Sequence, residues 1–343
     1  MDVSTRRMSM YKNRRNLYQE LENARNSKLL VYITGDRPGL ETQIHSEVFD
    51  FFVNHLDIIG VTEKISLYLY TRGGSTLTAW SLINLIRQFC DELEVIIPSK
   101  CHSAGTIMSL GANRIVMTKQ ATLGPIDPSV NTPLNPQIEG APPTAKMPVS
   151  VEAIKGYIEL VKEELGIKGD ENLAKILVTL SEKIHPLVLG EVYRSRSQIK
   201  MLANRLLANQ ITEPGKIKNI VNFLCSDSGS HDYTINRREA KNELGLMIEK
   251  PDNALYVLIK SIYDDIQKEL CLTEAYDPNS ILGKDPSASY SFKRGLVESC
   301  EGGSNYFCSE GSFSRVNLPG PAGLHPGIND NRTFEGWKYE SID

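Results

Sequence analysis

Between Leu29 and Met117 the chain alternates short apolar runs with segments of helical period, and this alternation constrains the fold more than any other feature. The runs are Leu29 to Thr34, Ile65 to Tyr70, Leu93 to Ile97 and Arg114 to Met117. Between them, Ile44, Val48, Phe51, Phe52, Leu56 and Ile59 recur at helical spacing over Gln43 to Ile59. Leu77, Trp80, Leu82, Ile83, Leu85 and Ile86 do the same over Ser75 to Phe89. A third helix opens at Ser103 and continues through Ile107 to Ala112. Strand and helix in strict turn imply right-handed crossovers and a parallel sheet covered by helices, with ligands received at the carboxyl ends of the strands. Two junctions fall at such ends: Thr71-Arg72-Gly73-Gly74-Ser75 and Lys100-Cys101-His102-Ser103-Ala104-Gly105-Thr106.

The second junction carries a nucleophile-type residue among small residues, between a strand and a helix. That order of elements pushes a serine hydroxyl out at the start of a helix, which makes Ser103 the candidate nucleophile. Amide hydrolysis also needs N–H donors where the oxyanion forms. Gly73-Gly74 offers backbone N–H groups where a side chain would block substrate, and Ala104 offers the one next to the nucleophile. Cys101 lies two residues earlier at a strand end and reads as a small packed hydrophobe. The double glycine does not belong to a phosphate cradle, because neither Gly-x-x-x-x-Gly-Lys-Ser/Thr nor Gly-x-Gly-x-x-Gly is present.

These two junctions, with Leu123-Gly124-Pro125-Ile126-Asp127-Pro128 downstream, resemble the Clp-fold serine peptidases on their signal peptide peptidase A side, and within them the serine dehydrogenase proteinases. The resemblance covers roughly residues 29 to 250. It implies a ClpP/crotonase-like fold, a Ser103 nucleophile, an oxyanion hole from Gly74 and Ala104, and a homo-oligomer acting on peptides or unfolded proteins. It implies no cofactor and no metal.

The base comes from the resemblance as well. ClpP-type members carry a histidine about where this chain has Pro125-Ile126-Asp127, whereas signal peptide peptidase A relatives use a lysine placed later, close to the following helix. Lys146, just before that helix, and Lys155, within its first turns, are the candidates, with Lys146 preferred. A lysine serves as base only when desolvation or nearby positive charge lowers its pKa. His102 adjoins the nucleophile, but adjacent side chains diverge, so it reads as a site wall. His231-Asp232 reads as a turn held by hydrogen bonds, with a base role as its alternative.

The rest of the chain frames this core. Residues 1–28 form a polar helical arm with Tyr11, Leu17, Tyr18 and Leu21 on a weak apolar face. Residues 29–250 are the peptidase domain, with a helical insertion at about 150–225 preceded by a Pro-rich stretch, Asn131 to Pro148, that reads as a lid or substrate-binding segment. Ser150 is the expected cap of the insertion's first helix. On the insertion's long helix Arg194, Arg196, Lys200 and Arg205 read as a solvated face. Residues 251–276 form an amphipathic helix, and 277–343 read as a loop-rich tail with one or two hairpins.

A net charge of −4 with interspersed signs argues against a nucleic-acid partner. The six cysteines form no Cys-x-x-Cys pair, which suits reduced thiols in the cytoplasm. No segment approaches the ~20 apolar residues of a membrane span, and no apolar core follows the basic start, so a cytoplasmic enzyme is expected. Two rival readings share the fold: a crotonase-like enzyme of acyl-CoA thioesters, disfavoured by the Ser103-Ala104-Gly105 turn, and a scaffold with a vestigial serine.

Overall fold

The computed structural model describes residues 10–126, 129–227, 230, 232–320 and 323–342. The chain divides into two compact units, residues 1–123 with 236–343, and residues 124–235.

The first unit is built on the expected alternation. It opens with α1 (Met10–Arg25), β1 (Lys28–Thr34), α2 (Phe49–Ile59), β2 (Thr62–Tyr70), α3 (Thr76–Ile86) and β3 (Cys90–Ile97). Next come β4 (Lys100–Cys101), α4 (Ala104–Leu110), β5 (Arg114–Met117) and β6 (Thr122–Leu123). Strands β1, β2, β3 and β5 run parallel side by side. They are mostly apolar because both of their faces are covered. Two polar residues buried within them, Ser66 and Glu94, satisfy each other, Ser66 Oγ donating to Glu94 at 2.6 Å. On one face Leu29, Val31, Ile33, Tyr68, Tyr70, Ile96 and Val116 join Tyr11, Tyr18 and Leu21 of α1. On the other, Tyr32 meets Phe52 of α2 edge-on, with ring centroids 5.2 Å apart. The fold of this unit is α/β, a parallel group of strands covered by helices.

The N-terminal arm is part of this core. Tyr11, Arg14, Tyr18 and Leu21 are its buried residues, so a charged side chain shares the apolar face. Arg14 is fully buried and makes three contacts of 2.8–3.1 Å with the equally buried Glu298. Glu269 also reaches it, at 2.8 Å.

The second unit holds β7 (Ser129–Val130) and β8 (Val149–Ser150), an antiparallel pair closed by the Pro-rich stretch. That stretch is organised by Asn135, whose Nδ2 donates to the carbonyls of Val130 (2.7 Å) and Met147 (2.9 Å). Helices α5 (Val151–Glu159), α6 (Asp170–Lys183), α7 (Pro186–Leu207) and α8 (Pro214–Asn222) follow, with π-helical turns at Leu160–Glu164 and Phe223–Asp227. Ser150 caps α5 by accepting from the Ala153 N–H. Val130, Val149, Val151, Val188 and Val192 form a small core, and α6 buries no residue at all.

After β9 (Ile235–Asn236) the chain supplies α9 (Arg237–Asn242), β10 (Ile248–Glu249), α10 (Asn253–Glu269) and α11 (Pro278–Leu282), then β11 (Ser287–Ser299), β12 (Gly303–Gly320) and β13 (Gly323–Glu340). Here the structure departs from the loop-rich tail read from composition. The expected hairpins exist, but their strands are 13, 18 and 18 residues long. They extend the core sheet to the order β10-β5-β3-β2-β1-β11-β12-β13, with β11 antiparallel to β1. Small and polar residues suffice because cross-strand pairs hold them, among them Lys338 with Glu310 (2.7 Å) and Phe307 against Trp337 (5.7 Å).

Candidate active site

The site grows from the ends of β2 and β4. Beyond β2, Thr71 pairs in parallel with Cys101: its N–H donates to the Lys100 carbonyl (3.1 Å), and its carbonyl accepts from the His102 N–H (3.0 Å). Strand β4 in turn lies parallel to β6. This short ladder carries the chain past the main sheet edge and turns it into α4.

Ser103 sits at that turn with φ +51° and ψ −114°, a backbone conformation that costs a non-glycine residue about 1–3 kcal/mol. It precedes α4 without capping it, since its side chain makes no cap hydrogen bond, and the residue is half-buried. The hydroxyl is thus not spent on the helix. Strained, uncapped and at a strand-to-helix turn, Ser103 presents Oγ rather than using it.

All seven residues of α4 are buried. The helix packs this deeply because Gly105 lies against Thr71 and Cys101: a Cβ there would stand 2.4 Å from Thr71 Cγ2 and 2.9 Å from Cys101 Sγ. Burial pushes the Cys101 thiol up to about 12, which suits packing and not attack. The His102 imidazole Nε2 is engaged by Thr122 Oγ1 at 2.9 Å.

The double glycine lies directly beside the serine. Gly73 has φ +118°, and a Cβ on it would meet Ser103 Cβ at 2.7 Å and Ser103 Oγ at 3.2 Å. Gly74 has φ +141° and pairs in parallel with Ile44. The Ile44 N–H donates to the Gly73 carbonyl and the Ser75 N–H to the Ile44 carbonyl, each at 2.8 Å. In parallel pairing of this kind the N–H and C=O of the bridged residue face the opposite side, so those of Gly74 point away from Ile44. Among the described residues, neither the Gly74 nor the Ala104 N–H meets an acceptor. Thr71 Oγ1 fixes the turn by accepting from the Gly73 N–H (3.0 Å) and from Thr34 Oγ1 (2.7 Å).

The structure therefore brings Gly73, Gly74, Ser103 and Ala104 together in the first unit. Lys146 and Lys155 belong to the second unit. Lys146 lies within the Pro-rich loop, bridged antiparallel to Gln137, five residues before α5 begins. It has no ion pair among the described residues. Lys155 is on α5, its Nζ 3.2 Å from Glu159 and 3.7 Å from Glu152. Asp127 and His231 lie outside the described residues.

Sequence reasoning missed two contributors. The helical period from Gln43 takes in Ile44, but α2 begins only at Phe49, after a short turn at Ser46–Val48, and Ile44 is extended. Asp36 is the other. It accepts from Tyr70 Oη (2.8 Å) and pairs with Lys100 Nζ (2.5 Å), tying the loop after β1 to β4. No local motif marks either residue.

Residues 1–142 match the family of ClpP-like SDH-type serine proteinases. Gly73, Gly74, Ser103 and Ala104 fall inside that match; Lys146 and Lys155 fall outside it. Two uncharacterized proteins of Methanocaldococcus jannaschii are similar to the chain. MJ0137 is 27% identical over 187 residues, 54% of each chain, and MJ1495 is 28% identical over 184 residues, 54% of this chain and 51% of that one. The chain thus spans about half the length of the curated relatives it matches. Among solved structures, a mutant of the 1510-N membrane-bound stomatin-specific protease is 18% identical, with a TM-score of 0.37 over 68% of this chain and 86% of that one. ClpP1 from Listeria monocytogenes is 15% identical, with a TM-score of 0.36 over 70% and 99%. Among the described residues no helix is long and apolar enough to cross a membrane.

Proposed function

We propose that the chain is a serine peptidase in which Ser103 forms an acyl-enzyme with peptides or unfolded proteins. The observation that carries this is the strained, uncapped Ser103 standing over a glycine that no side chain can replace. Ser103 Oγ attacks the scissile carbonyl, and the N–H groups of Gly74 and Ala104 receive the oxyanion, each such donor being worth about 3 kcal/mol of barrier. The general base takes the hydroxyl proton and passes it to the leaving amine; water then enters by the same route and releases the acyl group. We assign the base to Lys146, with Lys155 second, because the Lys155 ammonium is already taken up by Glu152 and Glu159. An extended peptide backbone suits the free edge of Gly74, whose N–H and C=O face away from Ile44.

A homo-oligomer in the cytoplasm completes the reading. It is supported by the unburied face of α6, with Leu177 and Val178 more than half exposed, and by six cysteines held as thiols, five of them buried. Light scattering on the eluting protein checks the first point.

The decisive experiment treats the full-length protein with a fluorophosphonate probe and locates the label by mass spectrometry. Wild type is expected to label at Ser103, Ser103→Ala not at all, and Lys146→Ala far more slowly than Lys155→Ala. Undiminished peptide hydrolysis by folded Ser103→Ala sinks the proposal; equal labelling of wild type and Lys146→Ala removes Lys146 as base.

A further inference from the structure

The Gly73-Gly74 strand is held by Ile44, and Ile44 belongs to a loop with no regular structure of its own. What holds that loop lies some 250 residues further along the chain. Strand β11 runs antiparallel to β1 and pairs with it from Leu30↔Ser299 to Thr34↔Gly295. At the next residue the register of β11 against β12 slips: Gly295 faces Phe307 and Lys293 faces Cys308, which leaves Arg294 as the extra residue of a β-bulge. Bulges re-aim a side chain and are frequent beside active sites. This one aims both the carbonyl and the guanidinium of Arg294 at the loop.

The contacts are numerous. Arg294 Nε donates to the Leu40 carbonyl and Nη2 to the Glu41 carbonyl, both at 2.9 Å. The Arg294 carbonyl accepts from the Gly35 N–H and from Thr42 Oγ1, both at 2.8 Å. Thr42 Oγ1 also accepts from the Gly35 N–H at 2.9 Å. A Cβ on Gly35 would lie 2.5 Å from the Arg294 carbonyl oxygen, so the approach is as close as a glycine permits. The guanidinium is steadied from behind by Ser309 (2.9 Å) and Glu335 (3.1 Å), and it lies over the Phe307 ring. Two residues beyond Thr42, Ile44 takes the Gly73 carbonyl and the Ser75 N–H.

We infer that Arg294 is a positioning residue of the active site: through residues 35–44 it sets where the Gly74 N–H points, and so couples the C-terminal strands to oxyanion binding. The inference rests on the serine-peptidase reading for its catalytic consequence. Its structural half stands apart from that reading. Arg294 touches neither Ser103 nor Gly74, so its loss shifts a donor instead of deleting one. A misplacement of about 1 Å costs on the order of 100-fold in rate, which sets the scale of the effect.

The test uses full-length Arg294→Gln, Arg294→Lys and Thr42→Val, with Arg315→Gln as control, because among the described residues exposed Arg315 bonds only the Gly283 carbonyl with its side chain. Three quantities are read: kcat and KM on an internally quenched peptide, the rate of fluorophosphonate labelling, and hydrogen exchange at the Ile44 and Ser75 amides. In Arg294→Gln, kcat and labelling are expected to fall roughly 10- to 100-fold with KM near wild type. Exchange at Ile44 and Ser75 should accelerate. Arg294→Lys should recover part of both, since its ammonium still reaches one of the two loop carbonyls, and Arg315→Gln should match wild type. If Arg294→Gln does not fold, Thr42→Val carries the same test with a smaller loss. Folded Arg294→Gln with wild-type exchange at Ile44 and Ser75 overturns the positioning role outright. Accelerated exchange with wild-type kcat overturns its coupling to the site. Should Ser103→Ala hydrolyse peptide like wild type, the peptidase reading fails instead, and exchange still decides what Arg294 does.

Discussion

Replacing Arg14 by methionine should strongly destabilise the first unit, and the structure gives the size of the effect. The guanidinium is fully buried, with three contacts to Glu298, one to Glu269 and one to Asp265. Burial opposes ionisation of Glu269, yet Arg14 and Lys293 outweigh it and hold that carboxyl below its ordinary value. Methionine fills most of the same volume, so the cavity cost is small and the loss is electrostatic. It leaves Glu298 with hydroxyl donors alone, Tyr18 and Ser304, in a site closed to water. Removing one partner of a buried ion pair costs about 3–5 kcal/mol. Converted by a urea slope of about 2 kcal/mol per molar, that lowers the unfolding midpoint by roughly 1.5–2.5 M. Circular dichroism during urea unfolding measures it, and the difference should persist at high salt because buried pairs are little screened. Glu298→Gln on the Arg14→Met background should recover much of the loss, since it removes the stranded charge. A midpoint within about 0.3 M of wild type, or losses that simply add in the double variant, would refute the reasoning.

Three further outcomes follow from the site and its surroundings. Gly105→Ala should destabilise by about 1–3 kcal/mol through its clashes with Thr71 Cγ2 and Cys101 Sγ, and Thr71→Ser, which removes the closer methyl but keeps Oγ1, should restore part of it in thermal melts. Ser103→Gly should abolish labelling while melting higher than Ser103→Ala, by about 1 kcal/mol or more in stability, because glycine accepts φ +51° without strain; equal melting points would show that the turn stores nothing. His55 is buried between Ser299 (2.8 Å) and Asn305 (3.0 Å), and burial lowers its pKa against the opposing pull of the Asn305 bond. The unfolded chain therefore takes up a proton near pH 6.5 that the native one refuses. Stability from this group is complete above that pH and is lost as pH falls towards the folded value. His55→Gln should flatten the slope of stability against pH below about 6.5, and an unchanged slope counts against His55 as its source.

What was legible in the sequence was whatever local pattern decides. The parallel strands could be read because burial on both faces leaves little room for polar residues in Leu29 to Ile33 or Leu93 to Ile97, where buried Glu94 is the exception and is paired with Arg25. Ser103 and the double glycine could be read because a strand-to-helix turn is a matter of adjacent residues. Arg14 could not be read as buried: the helical period put Leu17 on the apolar face, and only the distant Glu298, Asp265 and Glu269 make a cation acceptable there. Ile44 deceived for a related reason. Its spacing to Val48, Phe51 and Phe52 fits a helix, but its backbone is claimed by Gly73 and Ser75, thirty residues on. The C-terminal strands were hidden by their Gly, Ser and Asn content, since their pairing depends on partners that composition does not display.

These misreadings share a geometric cause. Strand β11 has 13 residues and its neighbour β1 only seven, so β11 overruns the carboxyl end of β1. The loop to Ile44 leaves from that same end, and an antiparallel neighbour passes it in mid-strand, at Arg294. A regular strand would alternate its side chains past the loop without turning its backbone to it; the bulge supplies the one residue that offers carbonyl and side chain together. Bulge, loop and double glycine thus form one construction, assembled from three parts of the chain that share no motif, and it stands where sheets of this type receive their ligands.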